Sequence, residues 1–392
     1  MKPFSCSDST KTRHQIPVYS INLFILILVC FASCTHKNDN GRFWGDLEEM
    51  GYPMQADSVN LVKMDESVFG EVISLKGEYI PIEPLIKLAE LEAFIKDSLL
   101  FLKHLEQREG EPLLHVLKIP SLEVVAELAK RGNGPEEVMD IRLIESHDES
   151  FYCFVHDVNK NLLYKVDKKL NFLPFYKDKI IPENAGGIKI GSEGIVHLGD
   201  SNFLFPQMAD DGMGIFEMNL SDKIAKGRIK LNCSDNIGAV WAPYWSCYLG
   251  NLCSNQTNRC LAYAYTFYHR ILFADFKGDN IKVVQFEEQA PFQSKDSWHQ
   301  MNTGQDVCYY IGAFGSSNYT YFLYRGCNYE KEPNCVYLEQ WTWDGKPVKR
   351  FELEKGMYPL GGCVDEKTST LYLLDVTKDD FIYKVQMGND KI

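Results

Sequence analysis

The sequence predicts an all-β fold: a six-bladed β-propeller of mostly four-stranded antiparallel blades. Short runs of alternating apolar and polar residues recur between Ser98 and Val385, and a period of two is typical of half-buried strands. Turn residues separate these runs into sets that begin roughly 45–55 residues apart, which is the spacing of propeller blades. Aromatic residues make up 13% of the chain, and this favours strands over helices.

The first 33 residues have the features of a signal peptide. Basic residues such as Lys11 and Arg13 precede an apolar run, Ile21 to Phe31, that is too short to span a bilayer as a helix. The following Phe31-Ala32-Ser33-Cys34 is similar to a bacterial lipoprotein cleavage site. We therefore expect Cys34 to become the lipid-bearing first residue of the mature protein. An uncleaved membrane anchor is the alternative.

Three regions follow from these patterns: a lipoprotein signal peptide over 1–33, a lipidated tether and lead-in over 34–66, and the propeller over 67–392. Only Lys87 to Leu105 has a competing helical pattern. We predict a short helix in its first half and a strand from Asp97 onward. The first and last strands of the domain are expected to pair and close the ring, so the blade count is uncertain by one.

The predicted strands are grouped by blade. They are Ser98–Leu102, His115–Ile119 and Val124–Leu128; Phe151–Val155 and Leu162–Val166; Gly194–His197, Asn202–Phe205 and Gly214–Met218; Arg259–Thr266, Ile271–Phe276 and Ile281–Phe286; Thr320–Tyr324, Val336–Trp343 and Val348–Leu353; Thr370–Leu374 and Phe381–Val385.

A turn motif recurs after three of these strands. Asp344-Gly345 follows Trp343, Asp275 begins a turn that contains Gly278, and Asp167 begins a degenerate third copy. Asp, Asn and Gly tolerate the left-handed backbone that such turns require. Three related turns favour a true structural repeat.

Nine of the 12 cysteines follow Cys34, and an odd number cannot all pair internally. An exported protein can form disulfides, and Cys327 and Cys335 flank a polar insertion that a disulfide would close. The alternative is that most of the cysteines are small buried apolar residues. No Cys-x-x-Cys occurs, so the sequence predicts no zinc site and indicates no cofactor.

Charge and motifs restrict the function. The net charge of −13 argues against a nucleic-acid partner, because phosphate binding needs a basic surface. Neither a His-Glu-x-x-His motif nor a Gly-x-Ser-x-Gly nucleophile elbow occurs. A propeller enzyme can gather Asp, Glu and His from several blades without any linear motif. The sequence therefore favours a non-enzymatic role without deciding the question.

The most unusual side-chain cluster is aromatic: Trp241, Tyr244, Trp245 and Tyr248. Aromatic faces can stack on sugar rings or on cations, and propeller loops present such residues around a central mouth. We predict these four as candidate ligand contacts. The alternative is packing between blades.

Several segments resemble the TolB-like six-bladed propeller lipoproteins of Bacteroides-type bacteria. Lys130 to Glu137, with its Gly-x-Gly-Pro-Glu-Glu link, is one. Arg259 to Tyr265, Trp343 to Val348, and Cys363 to Glu366 are the others. The resemblance implies a propeller and a lipid anchor. It implies no established activity and supplies no catalytic residues.

The sequence thus predicts an envelope protein, lipid-anchored to the outer membrane on a face that is undefined. Its propeller would bind a glycan, a peptide or another envelope protein. A hydrolase or lyase with an axial Asp/Glu/His site is one alternative. A purely structural subunit of an envelope complex is the other.

Overall fold

The computed structural model describes residues 59–82, 92–104, 108–146, 148–176, 194–209, 212–222, 224–231, 248–286, 307–328, 336–378 and 380–387. Within these ranges, 26 strands form six sheets arranged as the blades of a propeller. This confirms the predicted fold. The sequence around Cys34 lies outside the described residues. The short helix predicted in the first half of Lys87 to Leu105 is wrong where the structure describes it, because Ala93–Lys96 is a strand that forms a hairpin with the strand starting at Leu99.

Blades 1 to 3 each use four consecutive strands, and every neighbouring pair is antiparallel. Blade 1 contains β4 (Ala93–Lys96), β5 (Leu99–Lys103), β6 (Pro112–Lys118) and β7 (Glu123–Lys130). Blade 2 contains β8 (Ile141–Glu145), β9 (Phe151–Asp157), β10 (Leu162–Asp167) and β11 (Phe172–Tyr176). Blade 3 contains β12 (Val196–Gly199), β13 (Asn202–Ala209), β14 (Gly212–Asn219) and β15 (Ile224–Lys230).

Blades 4 to 6 combine C-terminal strands with three strands from the start of the domain. Blade 4 contains β16 (Gly250–Asn255), β17 (Cys260–Tyr265), β18 (Arg270–Asp275), β19 (Ile281–Gln285) and β1 (Val59–Lys63). Blade 5 contains β20 (Val307–Gly315), β21 (Tyr319–Asn328), β22 (Tyr337–Thr342), β23 (Pro347–Glu352) and β2 (Ile73–Ser74). Blade 6 contains β24 (Pro359–Asp365), β25 (Thr370–Asp375), β26 (Phe381–Gln386) and β3 (Glu78–Pro81).

The ring closes through β3, which pairs antiparallel with β26 in the register Ile80↔Ile382. The last strand thus closes the ring with a strand from the start of the domain, as predicted, although that strand is the third and not the first. The described chain also contributes earlier than the predicted start of the propeller at residue 67. β1 lies parallel to β19, and the 3₁₀ helix Glu66–Phe69 follows it. We call the segment from Val59 to Pro81 the N-terminal belt.

The three predicted related turns all connect the third and fourth strands of a blade. In each, the fourth residue has a left-handed backbone: Leu170 (φ 62), Gly278 (φ 76) and Gly345 (φ 73). Its N–H donates to the carbonyl of the first residue, which is Asp167, Asp275 or Thr342, at 3.0–3.1 Å. Thr342, rather than Asp344, therefore occupies the first position in blade 5. These shared hydrogen bonds explain the repeat seen in the sequence.

The core lies between neighbouring blades, where the apolar residues of the middle strands interdigitate. Six apolar clusters lie between neighbouring blades around the ring. Tyr263 and Tyr265 alternate on β17 and are both almost fully buried in the cluster between blades 3 and 4. Most aromatic residues of the described chain are used in this way, since apolar contact between blades is what holds the ring together.

Candidate ligand site: the axial cavity

The first strand of every blade contributes to one cavity on the propeller axis, with a volume of about 890 Å³. Turns at 97–98, 255–257, 315–317 and 365–367 lie at the ends of these first strands and line one end of the cavity. At the other end lies the turn at 158–161, because Asp157 pairs with Ile141 at the start of β8. A cavity of this size is typical of small-ligand sites.

Glycines bring the first strands of blades 4 to 6 close together. A Cβ on Gly312 would lie 2.5 Å from the carbonyl oxygen of Leu360, and a Cβ on Gly315 would lie 2.9 Å from that of Ser254. Because these strands are the inner edges of their sheets, one row of backbone N–H and C=O groups faces the axis. Glycine at these two positions permits the close approach, because any larger residue would meet the carbonyl of the neighbouring blade.

The same side of the cavity carries uncharged polar side chains, and we call it the amide wall. Asn255 is buried and donates from Nδ2 to the carbonyl of Ser317 at 2.6 Å. Asn251 donates to the carbonyl of Tyr310 at 3.2 Å. Ser254 and Gln256 complete the wall. These side chains suit a ligand that is rich in hydroxyl or amide groups.

Blades 1 and 2 form a different side, which we call the charged wall. Glu92 lies 3.5 Å from Arg142 Nε and 3.9 Å from Lys103 Nζ. Asp140 lies 3.4 Å from Arg142 Nη1 and 3.8 Å from Lys103 Nζ. These four charges balance one another and fix the start of β4 against β8.

Glu145, at the end of β8, behaves differently. Its side chain is accessible from the cavity, yet protein surrounds it, and this burial raises its pKa to about 7 despite the opposing charge of Lys96. Within the described part of the chain, the Glu145 carboxylate has no hydrogen-bond or ion-pair partner. Glu145 is therefore a carboxyl group in a ligand-sized cavity that titrates near neutral pH.

Two further residues of the charged wall have assigned partners. His156 is buried, its Nε2 lies 3.2 Å from Asn161 Oδ1, and burial lowers its pKa to about 4. Lys160 donates to the carbonyl of Gly134 at 2.8 Å.

Glu137 Oε2 accepts the Gly134 N–H at 2.7 Å, so the predicted link at 132–137 is a folded turn between β7 and β8.

Of the four aromatic residues predicted as ligand contacts, only Tyr248 lies within the described residues, and it does not line this cavity. Tyr248 is 2% exposed, stacks on Tyr268 at 6.2 Å between ring centroids, and packs in the core between blades 3 and 4. Its predicted cluster partners Trp241, Tyr244 and Trp245 lie outside the described residues. Cys327 lies opposite Cys308 on β20, and Cys335 is outside the described residues. Its predicted disulfide with Cys327 stays a prediction.

The described part of the chain has neither a metal-ligand cluster nor a membrane-spanning helix. No group of three or more His, Cys, Asp or Glu residues there is arranged to hold a metal ion. Among the same residues, no helix has both the length and the apolar character needed to cross a membrane.

Comparison with known proteins assigns the family. The family model described as TolB-like 6-blade propeller-like matches residues 66–367, which is well over half of the chain. The chain belongs to this family. No curated protein matches it.

Solved structures share the fold of this TolB-like propeller at low sequence identity. A member of the DUF4221 family from Bacteroides vulgatus is 11% identical, with 81% of this chain and 97% of that one covered and a TM-score of 0.55. An exported protein from Bacteroides fragilis is 13% identical, with 83% and 98% covered and a TM-score of 0.52. At these identities the likeness concerns the fold alone.

Proposed function

We propose that this TolB-like propeller is an envelope-anchored lipoprotein that binds a small polar ligand, a glycan or a peptide fragment, in its axial cavity. The observation that carries the proposal is the cavity itself. It joins the amide wall to a charged wall on which Glu145 has no partner in the described chain. Rigid blades hold these groups in place, which lowers the entropic cost of binding.

The envelope location is supported by the signal sequence and by one structural relative. Cys34 follows a basic segment and a short apolar run, and the Bacteroides fragilis relative is described as exported. Lipid on Cys34 would attach the propeller to a bilayer through the tether. Cys34→Ala is expected to move the protein from the membrane fraction to the soluble fraction. Retention in the membrane would contradict the anchor.

A cavity-blocking variant tests the binding function. Ser254 lines the cavity, so Ser254→Trp should fill part of it. Val125 is 44% exposed on the outermost strand of blade 1, and Val125→Trp is the matched control. The measurement is the melting temperature of the propeller, from residue 59, with a panel of mono- and disaccharides and di- and tripeptides. We expect at least one compound to raise it by several degrees in the unsubstituted and control proteins, but not in Ser254→Trp. Absence of stabilisation by any compound would overturn the proposal.

A catalytic function is the second candidate, and the pKa of Glu145 favours it. A carboxyl group with a pKa of about 7 can act as a general acid or base near neutral pH. A hydrolase or lyase of this kind would convert a compound that the panel identifies, and Glu145→Gln would still bind it but not convert it. If the compound is recovered unchanged after prolonged incubation, the catalytic function is contradicted and binding is the only function that remains.

A further inference from the structure

We propose that the ligand of the axial cavity carries a primary ammonium group and that Glu145 is the residue that binds it. This inference rests on the proposed function and narrows it. A glycan and a peptide can both present this chemistry, which is an ammonium group beside hydroxyl or amide groups. Examples are an amino sugar and the amino terminus of a short peptide.

The argument begins with the other carboxylates that line the cavity, each of which is already occupied. Glu92 accepts from the Leu143 N–H and lies beside Arg142. Asp97 pairs with Lys168 at 2.6 Å. In blade 6, Asp365 accepts from Thr368 at 2.6 Å, and Glu366 accepts from the Asn318 N–H at 2.9 Å. Only at Glu145 does the described wall leave a carboxylate open to a ligand.

Lys96 is the cation whose charge acts on Glu145, but the ammonium group of Lys96 makes its hydrogen bonds to other groups. Its Nζ donates to the carbonyls of Ser146 at 2.8 Å and Phe151 at 3.2 Å. The charge of Lys96 acts to lower the pKa of Glu145, but the larger effect of desolvation outweighs it. Cys153, opposite Glu145 across the strand pair, is buried as a neutral thiol because burial holds its pKa well above the usual range.

An incoming ammonium group would supply what the protein does not. An ionised carboxylate without a partner of its own gains from a ligand cation that donates hydrogen bonds to it. A ligand with a carboxylate or phosphate at the same place would meet Glu145 as a like charge. The cavity therefore favours a cationic group at the charged wall and a neutral polar group at the amide wall.

The experiment compares matched ligands that differ only in the charge on nitrogen. Glucosamine is paired with N-acetylglucosamine, and glycylserine with N-acetylglycylserine. Affinities for the unsubstituted protein, Glu145→Gln and Glu123→Gln are measured by calorimetry at pH 7, where α-amino groups are largely protonated. Glu123 is an exposed residue of β7, remote from the cavity, so its variant controls for the loss of one negative charge.

The unsubstituted protein and Glu123→Gln should bind at least one amine about ten-fold more tightly than its acetylated partner, as expected for a charge-assisted hydrogen bond. Glu145→Gln should lose that preference while keeping its affinity for the acetylated compound. Whether the sugar or the peptide shows the preference identifies the source of the ammonium group. Equal binding of amine and acetylated compound to the unsubstituted protein would overturn this inference and leave the proposed function intact. Failure of all four compounds to bind would count against both.

Discussion

Glu145 and Glu339 are both carboxylates whose pKa is raised by burial, yet their surroundings differ in kind. Glu339, on β22, is fully buried and accepts from Arg350 at 2.6 Å, from the Trp341 indole at 3.2 Å and from the Tyr310 hydroxyl at 3.4 Å. Glu145 faces the axial cavity and has no such partner in the described chain. A shifted pKa therefore does not by itself mark a functional site; unused bonding capacity beside a cavity does.

The Glu339 region also ties the N-terminal belt to blade 5. Arg350 lies opposite Glu339 on the neighbouring strand, and its guanidinium also donates to Glu66 at 2.6 Å. The ring of Phe69 covers Arg350 at 4.4 Å. Glu66 thus helps to attach the belt to blade 5. Every charge in this cluster has a partner, so its role is structural.

The largest expected effect comes from breaking this cluster. Arg350→Met keeps the apolar stem but leaves Glu339 buried without a counter-charge, which should lower the free energy of unfolding by about 3–5 kcal/mol. Glu66→Gln removes the partner that is 51% exposed, and a loss below about 1 kcal/mol is expected. Urea denaturation measures both. Similar losses in the two variants would show that the buried pair is not the main contribution.

His269, close to the same cluster, should make the protein sensitive to acid. It stacks on Phe286 at 4.2 Å and on Tyr309 at 5.0 Å, and burial lowers its pKa from 6.5 to about 3. The unfolded chain binds a proton at higher pH than the folded one, so this contribution to stability is present above pH 6.5 and lost as the pH falls toward 3. Between pH 6.5 and 4 it amounts to about 3 kcal/mol at most.

The matching variant is His269→Phe, which preserves the stacked ring and has no titratable group. Its free energy of unfolding should fall less than that of the unsubstituted protein when the pH is lowered from 6.5 to 4, as measured by urea titration at each pH. His156 has a lowered pKa too, so the variant should retain part of the acid sensitivity. Parallel curves for the two proteins would contradict the assignment to His269.

The smallest expected effect is at Glu145 and has the opposite sign. Because its folded pKa of about 7 lies above the unfolded value of 4.5, the folded state binds the proton more tightly. The stabilising contribution is present below pH 4.5 and is lost as the pH rises through 7. Since the side chain is accessible to cavity water, the loss should be only about 1 kcal/mol.

Glu145→Gln tests that sign. Relative to the unsubstituted protein, the variant should gain stability between pH 5 and pH 8, as measured by the melting temperature. Glu123→Gln should show no such pH-dependent difference. A Glu145→Gln protein that is less stable than the unsubstituted one at pH 8 would mean that the carboxylate is paired after all, and the contrast with Glu339 would fail.

The middle strands of the blades could be predicted from sequence, whereas most of the innermost strands could not. Neighbouring blades cover the middle strands, so their apolar residues lie on both faces or alternate with polar ones. Examples are β5, β9, β17 and β25. The innermost strands β8, β16, β20 and β24 were not predicted. One edge of each meets the cavity, so these strands carry polar residues and glycines such as Gly312 that hide the two-residue period.

The candidate site was missed for a related reason. The aromatic cluster was selected because its residue types are unusual, and its one described member, Tyr248, packs in the core. Neither the residue type of Glu145 nor the sequence around it marks it as a candidate site residue. What distinguishes it is that the end of β8 faces the axis while Lys96, on another blade, is occupied elsewhere, and no spacing along the chain records that.

The sequence by itself determined the all-β class, the hairpins of the blades, the recurring turns and the family, because each depends on residues that are close along the chain. The tertiary structure alone decided that the N-terminal belt completes blades 4 to 6, that Arg350 pairs with Glu339 and Glu66, and that Glu145 faces a cavity. Those outcomes depend on which distant segments meet when the ring closes, and local patterns of hydrophobicity do not encode a partner some 300 residues away.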